Sequence, residues 1–599
     1  MEYPTLNVKL KLRQMTDAFA GYDHRLMIGD SEFYDMKNMT SDYYPVLSPR
    51  GGRGLYKNSG KATGLIAKDK LCYVDGTEFV VGDDRIEMGL STDADMCPKD
   101  LISMGAYVII MPDKKYINTI KNGTEYEHGS IETRYTNADL PNTPDFGDRA
   151  LAFMLCDING NNFENAEPSA TAPANPKDGR YWIDTSTVPN TLKKYAASSA
   201  MWVSIPTTYV KIGGAGLGEK FNQYDGVEIS GINVPGLESL NGYHAIWACD
   251  DTHIIITGIM NRAHYSQTLA EGAVTIERKM PKMDFLTECN NRLWGCRYGT
   301  NNEGEVVNEI YACKQGDFKN WNCFMNLSTD SYAASCGSDG PFTGAITHLG
   351  YPLFFKENCV HKVYGDYPAN FQIQHTTCRG VQKGSHGSLS IVNDMLYYKA
   401  GNAVCAYDGS LPVEVSSALG DVRYSDAVAE GNGNKYYIDM KSDDGVYHLF
   451  VYDTAKGMWH KEDNIQVDSL CSFRNELYAI DHETKRIITM LGEGDKYEGN
   501  LSWMLESGLI GVNLPDMKYI SKLLIRMSLN VGSSVEISIQ YDSIDDWERV
   551  CQMTVTNLRS FAVPIRLRRC DHFRLRIEGK GMGKIYSITK TIEQGSDVS

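Results

Sequence analysis

Short runs of alternating apolar and polar residues, closed by two-residue polar turns, recur along this chain, and residues 345–416 carry the pattern twice in succession. The first copy, AITHLGYPLFFKENCVHKVYGD, has an apolar strand, a Gly-containing turn at Leu349–Pro352, the aromatic strand Leu353–Lys356, a polar turn at Glu357–Asn358 and a strand ending at Tyr364–Asp366. The second, SLSIVNDMLYYKAGNAVCAYDGSLPVEVS, repeats that order with turns at Asn393–Asp394 and Gly401–Asn402. Period-two alternation between turns of Asn, Asp and Gly predicts antiparallel hairpin meanders. Their return at roughly 40-residue spacing predicts blades of a β-propeller.

The same texture extends in both directions. GLIAKDKLCYVDGTEFVVGD, with turns at Lys68–Lys70 and Asp75–Gly76, opens one or two blades over residues 64–119. Residues 281–495 supply the rest, through FLTECNNRLWGCRYG with its Asn290–Asn291 turn, YHLFVYDTAKGMWH and SLCSFRNELYAIDHETKRIITM, for six or seven blades in all. Between 120 and 280 the pattern breaks into stretches rich in Asn, Pro, Asp and Ala, and this region is expected to be one or two small β modules inserted at a blade loop. Trp182 and Trp202 sit on short strands inside it. Residues 1–63 are expected to be an extended arm, because Pro45 and Pro49 enforce extended backbone while Gly51, Gly52 and Gly54 permit tight turns around Arg50 and Arg53. Residues 496–599 alternate over longer strands: Ile565, Leu567, Phe573, Leu575 and Ile577 point one way, and Arg566, Arg568, Arg574 and Arg576 the other. The expected fold is therefore all-β: a six- or seven-bladed propeller with inserted β modules and a C-terminal β-sandwich whose outer face is basic.

Composition agrees with a turn-rich β protein: 599 residues, 55 of them Gly, with 42% hydrophobic and 10% aromatic residues. The opening MEYPTLNVKLKLRQM lacks the apolar run of a signal peptide, and nowhere do about 18 apolar residues follow one another, so neither a leader nor a membrane span is expected. The fifteen cysteines form no C-x-x-C pair, and several lie inside apolar strands, as Cys296 and Cys405 do; they read as reduced core thiols. A net charge of −17 argues against a protein that coats nucleic acid, yet it suits one past which DNA slides without sticking.

Signatures of catalysis are missing. No P-loop, H-E-x-x-H or G-x-S-x-G occurs, and no catalytic residue, cofactor or metal site is expected. Gly579-Lys580-Gly581-Met582-Gly583 lies between two strands and reads as a hairpin turn; Asp157-Ile158-Asn159-Gly160-Asn161 is similar to a calcium loop but has its Gly too early and lacks the closing Glu. Ser338-Asp339-Gly340 resembles the start of a sialidase Asp-box without its Trp. The thirteen histidines show no ligand spacing. Trp294, Trp321 and Trp459 hold blade-like positions and read as core; Trp182 and Trp202 read first as core too, because a small module has few other large side chains to bury, with a glycan or partner contact as the alternative.

The order of these motifs resembles bacteriophage virion proteins of the tail nozzle, tail tubular protein B and packaged-DNA stabilisation families. The residues that carry the likeness are DMKNMTSDYYPVLSPRGGRG, NRLWGC with IYACKQGDFKNW, LFFKENCVHKVYGD, MLYYKAGNAVCAYDG, VYDTAKGMWH and RCDHFRLRIEGKGMGKIYSI, about two thirds of the chain. The resemblance implies a structural protein of the virion tail, made in the bacterial host cytoplasm, and no enzyme. It also implies a homo-oligomeric ring, commonly six copies, bound to a portal or adaptor and other tail proteins, with double-stranded DNA crossing its channel without sequence-specific binding. Arg50, Arg53, Arg566, Arg568, Arg574 and Arg576 would then contact neighbouring subunits or the adaptor. The rival reading is a propeller-based protein that binds or hydrolyses surface glycans, with Trp182 and Trp202 at its sugar site. A propeller scaffold for protein partners is a third, weakened by the absence of WD-type repeats.

Overall fold

The computed structural model describes residues 11–140, 149–301, 304–514, 517–544, 546–554 and 556–594. The first ten residues, part of the stretch read for a leader, lie outside these. Strands dominate; the helical elements among the described residues are three-residue 3₁₀ turns. Four-stranded sheets with their strands in sequence order cover 62–87, 100–130, 285–335, 344–377 and 390–414; residues 424–461 add four such strands to a ten-stranded sheet, and 467–489 three to a five-stranded one. The architecture is all-β and propeller-like. The two-residue turns form where Asn and Asp tolerate left-handed backbone: φ is 53° and 58° at Asn290 and Asn291, and 50° and 63° at Asn393 and Asp394.

Two compact units are distinguishable, one of residues 1–101, 354–360 and 376–599, the other of residues 102–353 and 361–375. In the first, the 467–489 sheet is completed by strand Gly54–Lys57, which pairs with Ile487–Thr489. The 424–461 sheet continues through Gly21–Tyr22 and Glu32–Lys37 into Ser502–Ser507, Phe573–Lys580, Ser534–Tyr541 and Glu548–Met553. A separate four-stranded sheet, ordered Lys11–Thr16, Gly583–Gln594, Lys518–Leu529, Arg559–Val563, forms the other layer of a C-terminal β-sandwich. Leu505, Ile525, Ile537, Phe573, Ile577 and Ile585 share one core.

Three expectations change here. The described part of the expected extended arm is built into sheets: several of its strands pair with partners beyond residue 450, as Lys11–Thr16 does with Ile588–Glu593 and Tyr22 with Trp459. Alternation fails before Cys570, where the strand Arg559–Val563 ends at Pro564 and residues 564–569 run irregularly, leaving Leu567 68% exposed. Proline offers no N–H to a ladder, so the sheet stops there. The glycine run at 579–583 is a corner between the two sandwich sheets, not a hairpin, because its flanking strands belong to different sheets.

In the second unit, residues 133–278 form an eight-stranded sheet and a smaller four-stranded one over 167–204. Leu151, Phe153, Val210, Ile229 and Ile254 of the large sheet share a core with Ile183 and Leu192 of the small one. Trp294, Trp321 and Trp459 are buried, and all fifteen cysteines are unpaired thiols.

Candidate functional site

The small sheet of 167–204 has two unlike faces. Its strands Tyr181–Asp184, Thr191–Ala196 and Met201–Ser204 pair antiparallel, with Trp182 opposite Lys193, Asp184 opposite Thr191 and Tyr195 opposite Trp202. Directly opposed residues project to the same side. Ile183 and Leu192 therefore enter the core, while Trp182, Lys193, Tyr195 and Trp202 share the other face. Trp202 sits edge-on between two rings, its centroid 5.4 Å from Trp182 and 5.3 Å from Tyr195. Trp182 is 6% exposed, covered in part by Lys193, whose ammonium lies 4.9 Å from the ring centroid, and its indole N–H donates to the Ser169 carbonyl. Trp202 and Tyr195 are half-buried, and Met201 and Val203 are exposed. Beside the rings, Asp184 accepts from Lys193 Nζ at 2.8 Å and from Ser186; these bonds hold its carboxyl down to about 2. The result is a strip of aromatic surface flanked by a fixed carboxylate and an ammonium.

A second feature lies at the sheet of residues 62–87. A cavity of about 620 Å³ is lined by Ser59, Thr63, Asp75, Thr77, Glu78 and Arg85, among others. Arg85 bridges both carboxylates: Nη2 meets Asp75 at 2.5 Å, and Nε donates to Glu78 at 2.7 Å. Ser59 donates to the other oxygen of Asp75 at 2.6 Å, and the Thr63 hydroxyl is buried without a partner among the described residues. Both carboxylates are thus already engaged by partners within the fold.

The arginines divide into three environments. Arg50 and Arg53 are buried and do not face a neighbour. Arg50 reaches Glu498 at 2.7 Å and Asp463 at 3.1 Å, and Arg53 reaches Asp463 at 2.7 Å and Glu462 at 3.0 Å. The charge of this pair is matched inside the fold. Arg574 and Arg576 flank Glu506 at 2.9 and 2.6 Å and lie over the rings of Tyr34 and Trp547, so their charge too is matched locally. Arg566 and Arg568 are exposed on the irregular 564–569 segment, Arg568 pairing with Glu548 at 2.5 Å. The acidic loop at 157–161 is self-contained: Asp157 accepts the N–H groups of Asn159 and Asn161. Among the described residues, no group of three His, Cys, Asp or Glu is placed to hold a metal ion, and no helix is long and apolar enough to cross a membrane. Sequence reading named Trp182 and Trp202 but missed Tyr195, Lys193 and Asp184; the alternation of the 181–204 strands was the available signal.

No family model and no curated protein matches this chain. Among solved structures, U3-55K is similar at a TM-score of 0.23 and 8% identity, over 50% of this chain and 88% of that one. An exo-β-1,3-galactanase from Phanerochaete chrysosporium, in complex with galactose, gives 0.21 and 7% over 51% and 94%. An engineered GH43 glycoside hydrolase with endo-xylanase and exo-arabinofuranosidase activity gives 0.20 and 8% over 52% and 96%. Glycoside hydrolases in this set stand against the expectation that the chain is no enzyme, which is not carried forward. TM-scores near 0.2 transfer no activity or substrate to it.

Proposed function

We propose that this chain is a propeller-based glycan-binding protein whose sugar site is the Trp182–Tyr195–Trp202 face. The observation that carries this reading is the placement of three rings on the sheet side that faces away from the module's core, next to the Asp184–Lys193 pair. Pyranose rings present apolar C–H faces that pack on aromatic side chains, and their hydroxyls bond to fixed polar groups alongside. A glycan array with the full chain tests it. Binding that is lost in Trp202→Ala while the thermal melt is retained supports the site; binding unchanged by Trp202→Ala rules it out. A reducing-sugar assay on bound glycans reads hydrolysis separately.

A second reading is favoured by the order of motifs from DMKNMTSDYYPVLSPRGGRG to RCDHFRLRIEGKGMGKIYSI: a bacteriophage tail component assembled as a ring. The two readings are compatible, since a tail component can carry a glycan-binding insert. Light scattering and negative-stain imaging test the second. A ring of about six copies, alone or with a portal–adaptor complex, supports the tail reading, and a strict monomer under both conditions removes it.

A further inference from the structure

Arg292 opens the strand Arg292–Thr300, directly after the Asn290–Asn291 turn. It is 1% exposed, yet among the described residues no carboxylate lies within ion-pair distance of it. Its Nη1 donates to the carbonyls of Cys313 at 2.8 Å, Asp330 at 2.6 Å and Thr329 at 3.3 Å, and its Nη2 donates to Ser328 at 2.8 Å. A guanidinium has five N–H groups. The Nε–H and the second N–H of Nη2 have no acceptor among the described residues. Burial also lowers the pKa of this guanidinium, so the buried cation is incompletely compensated.

Arg292 lines a cavity of about 360 Å³ together with Asn290, Trp294, Tyr351, Tyr364 and Phe371, and Asp366 is also on its wall. Trp294 and Phe371 meet edge-to-face at 4.9 Å, and the Phe371 ring lies 5.7 Å from the guanidinium carbon. The Nε–Nη2 edge of an arginine grips a carboxylate through two parallel hydrogen bonds. We propose that this cavity binds a carboxylate-bearing sugar residue, a hexuronic acid, with that edge of Arg292 taking the carboxylate and the aromatic walls packing on the sugar ring. The site is separate from the Trp182–Trp202 face and stands without it.

Calorimetry on the full chain with glucuronic and galacturonic acid, glucose, galactose and inorganic phosphate tests the proposal. Uronate binding is expected to exceed neutral-sugar binding by roughly tenfold or more, the usual worth of hydrogen bonds to a charged group. Arg292→Gln abolishes it, but Arg292 also ties down the 313–330 segment, so two milder variants carry the test. Tyr364→Ala weakens uronate binding by removing a wall. Asp366→Asn strengthens it by about two- to fivefold, because a like charge leaves the cavity, and does not change neutral-sugar binding. Uronate binding unaffected by both variants, equal binding of uronates and neutral sugars, phosphate binding as tightly as uronate, or loss of uronate binding in Trp202→Ala would each overturn the assignment.

Discussion

Arg53 and Glu462 lie 409 residues apart in sequence, yet Nη2 of one is 3.0 Å from the carboxylate of the other, with both side chains buried. Asp463 and Glu498 complete the site, and Arg50 shares all three carboxylates. Burial pushes the Glu462 carboxyl up. Burial pushes Asp463 up as well, but the attraction and hydrogen bonds of Arg53, together with Arg50, outweigh it and leave that carboxyl below its ordinary value. Two cations against three carboxylates hold the N-terminal strands to the segments that precede and follow the 467–489 sheet.

Removing one cation leaves buried negative charge unmatched. Arg53→Met is expected to destabilise the first unit by about 3–5 kcal/mol, the usual cost of breaking a buried pair from one side. The urea midpoint of the transition that includes this unit reports it. A change under about 1 kcal/mol would mean that water reaches the cluster.

Asp439 gives a pH dependence of definite sign. One carboxylate oxygen accepts the Val467 N–H at 3.0 Å and the other has no partner among the described residues. Burial pushes the group from 3.8 up to about 7; Asp463 adds to this and Arg53 opposes it. The folded chain therefore keeps this proton after the unfolded chain has released it. The contribution of Asp439 to stability is full below the unfolded value and is lost as pH rises toward about 7. Asp439→Asn does not titrate, so its melting temperature relative to wild type is expected to rise between about pH 4 and pH 8. A constant offset across that range would contradict the assignment.

Glu506 and Glu548 make a contrast. Glu506 is 7% exposed in its side chain and holds both Arg574 and Arg576, whereas Glu548 and Arg568 are each about half exposed. Glu506→Gln is expected to cost about 2–4 kcal/mol, because two arginines lose their counter-charge. Glu548→Gln is expected to change stability by less than about 0.5 kcal/mol, as exposed pairs do. Parallel chemical denaturation of the two variants measures the difference.

The tryptophans of the small sheet are separable by stability as well as by binding. Trp182→Ala empties a buried site and is expected to cost about 3–5 kcal/mol. Trp202→Ala removes a half-buried ring, expected to cost about 1–2 kcal/mol at most. Thermal melts of both variants, compared with their glycan binding, show whether Trp202 serves a ligand more than the fold.

Local pattern determined much of this protein. Period-two alternation placed the strands, and the Asn and Asp pairs placed the tight turns, because an antiparallel ladder and a left-handed turn are properties of adjacent residues. The aromatic pair was legible for the same reason: Trp182 and Trp202 lie on short strands close together in the chain. Only the tertiary structure decided where distant segments go. The Pro/Gly-rich stretch around Arg50 and Arg53 reads as an extended arm until its strands pair with partners beyond residue 450. Its arginines read as surface contacts until Glu462, Asp463 and Glu498 enclose them. Arg292 shows the same limit, since the carbonyls that hold it and the rings around it come from segments up to 79 residues away. Alternation specifies which side of a strand a residue faces; what lies on that side is set by long-range packing, which no local periodicity encodes.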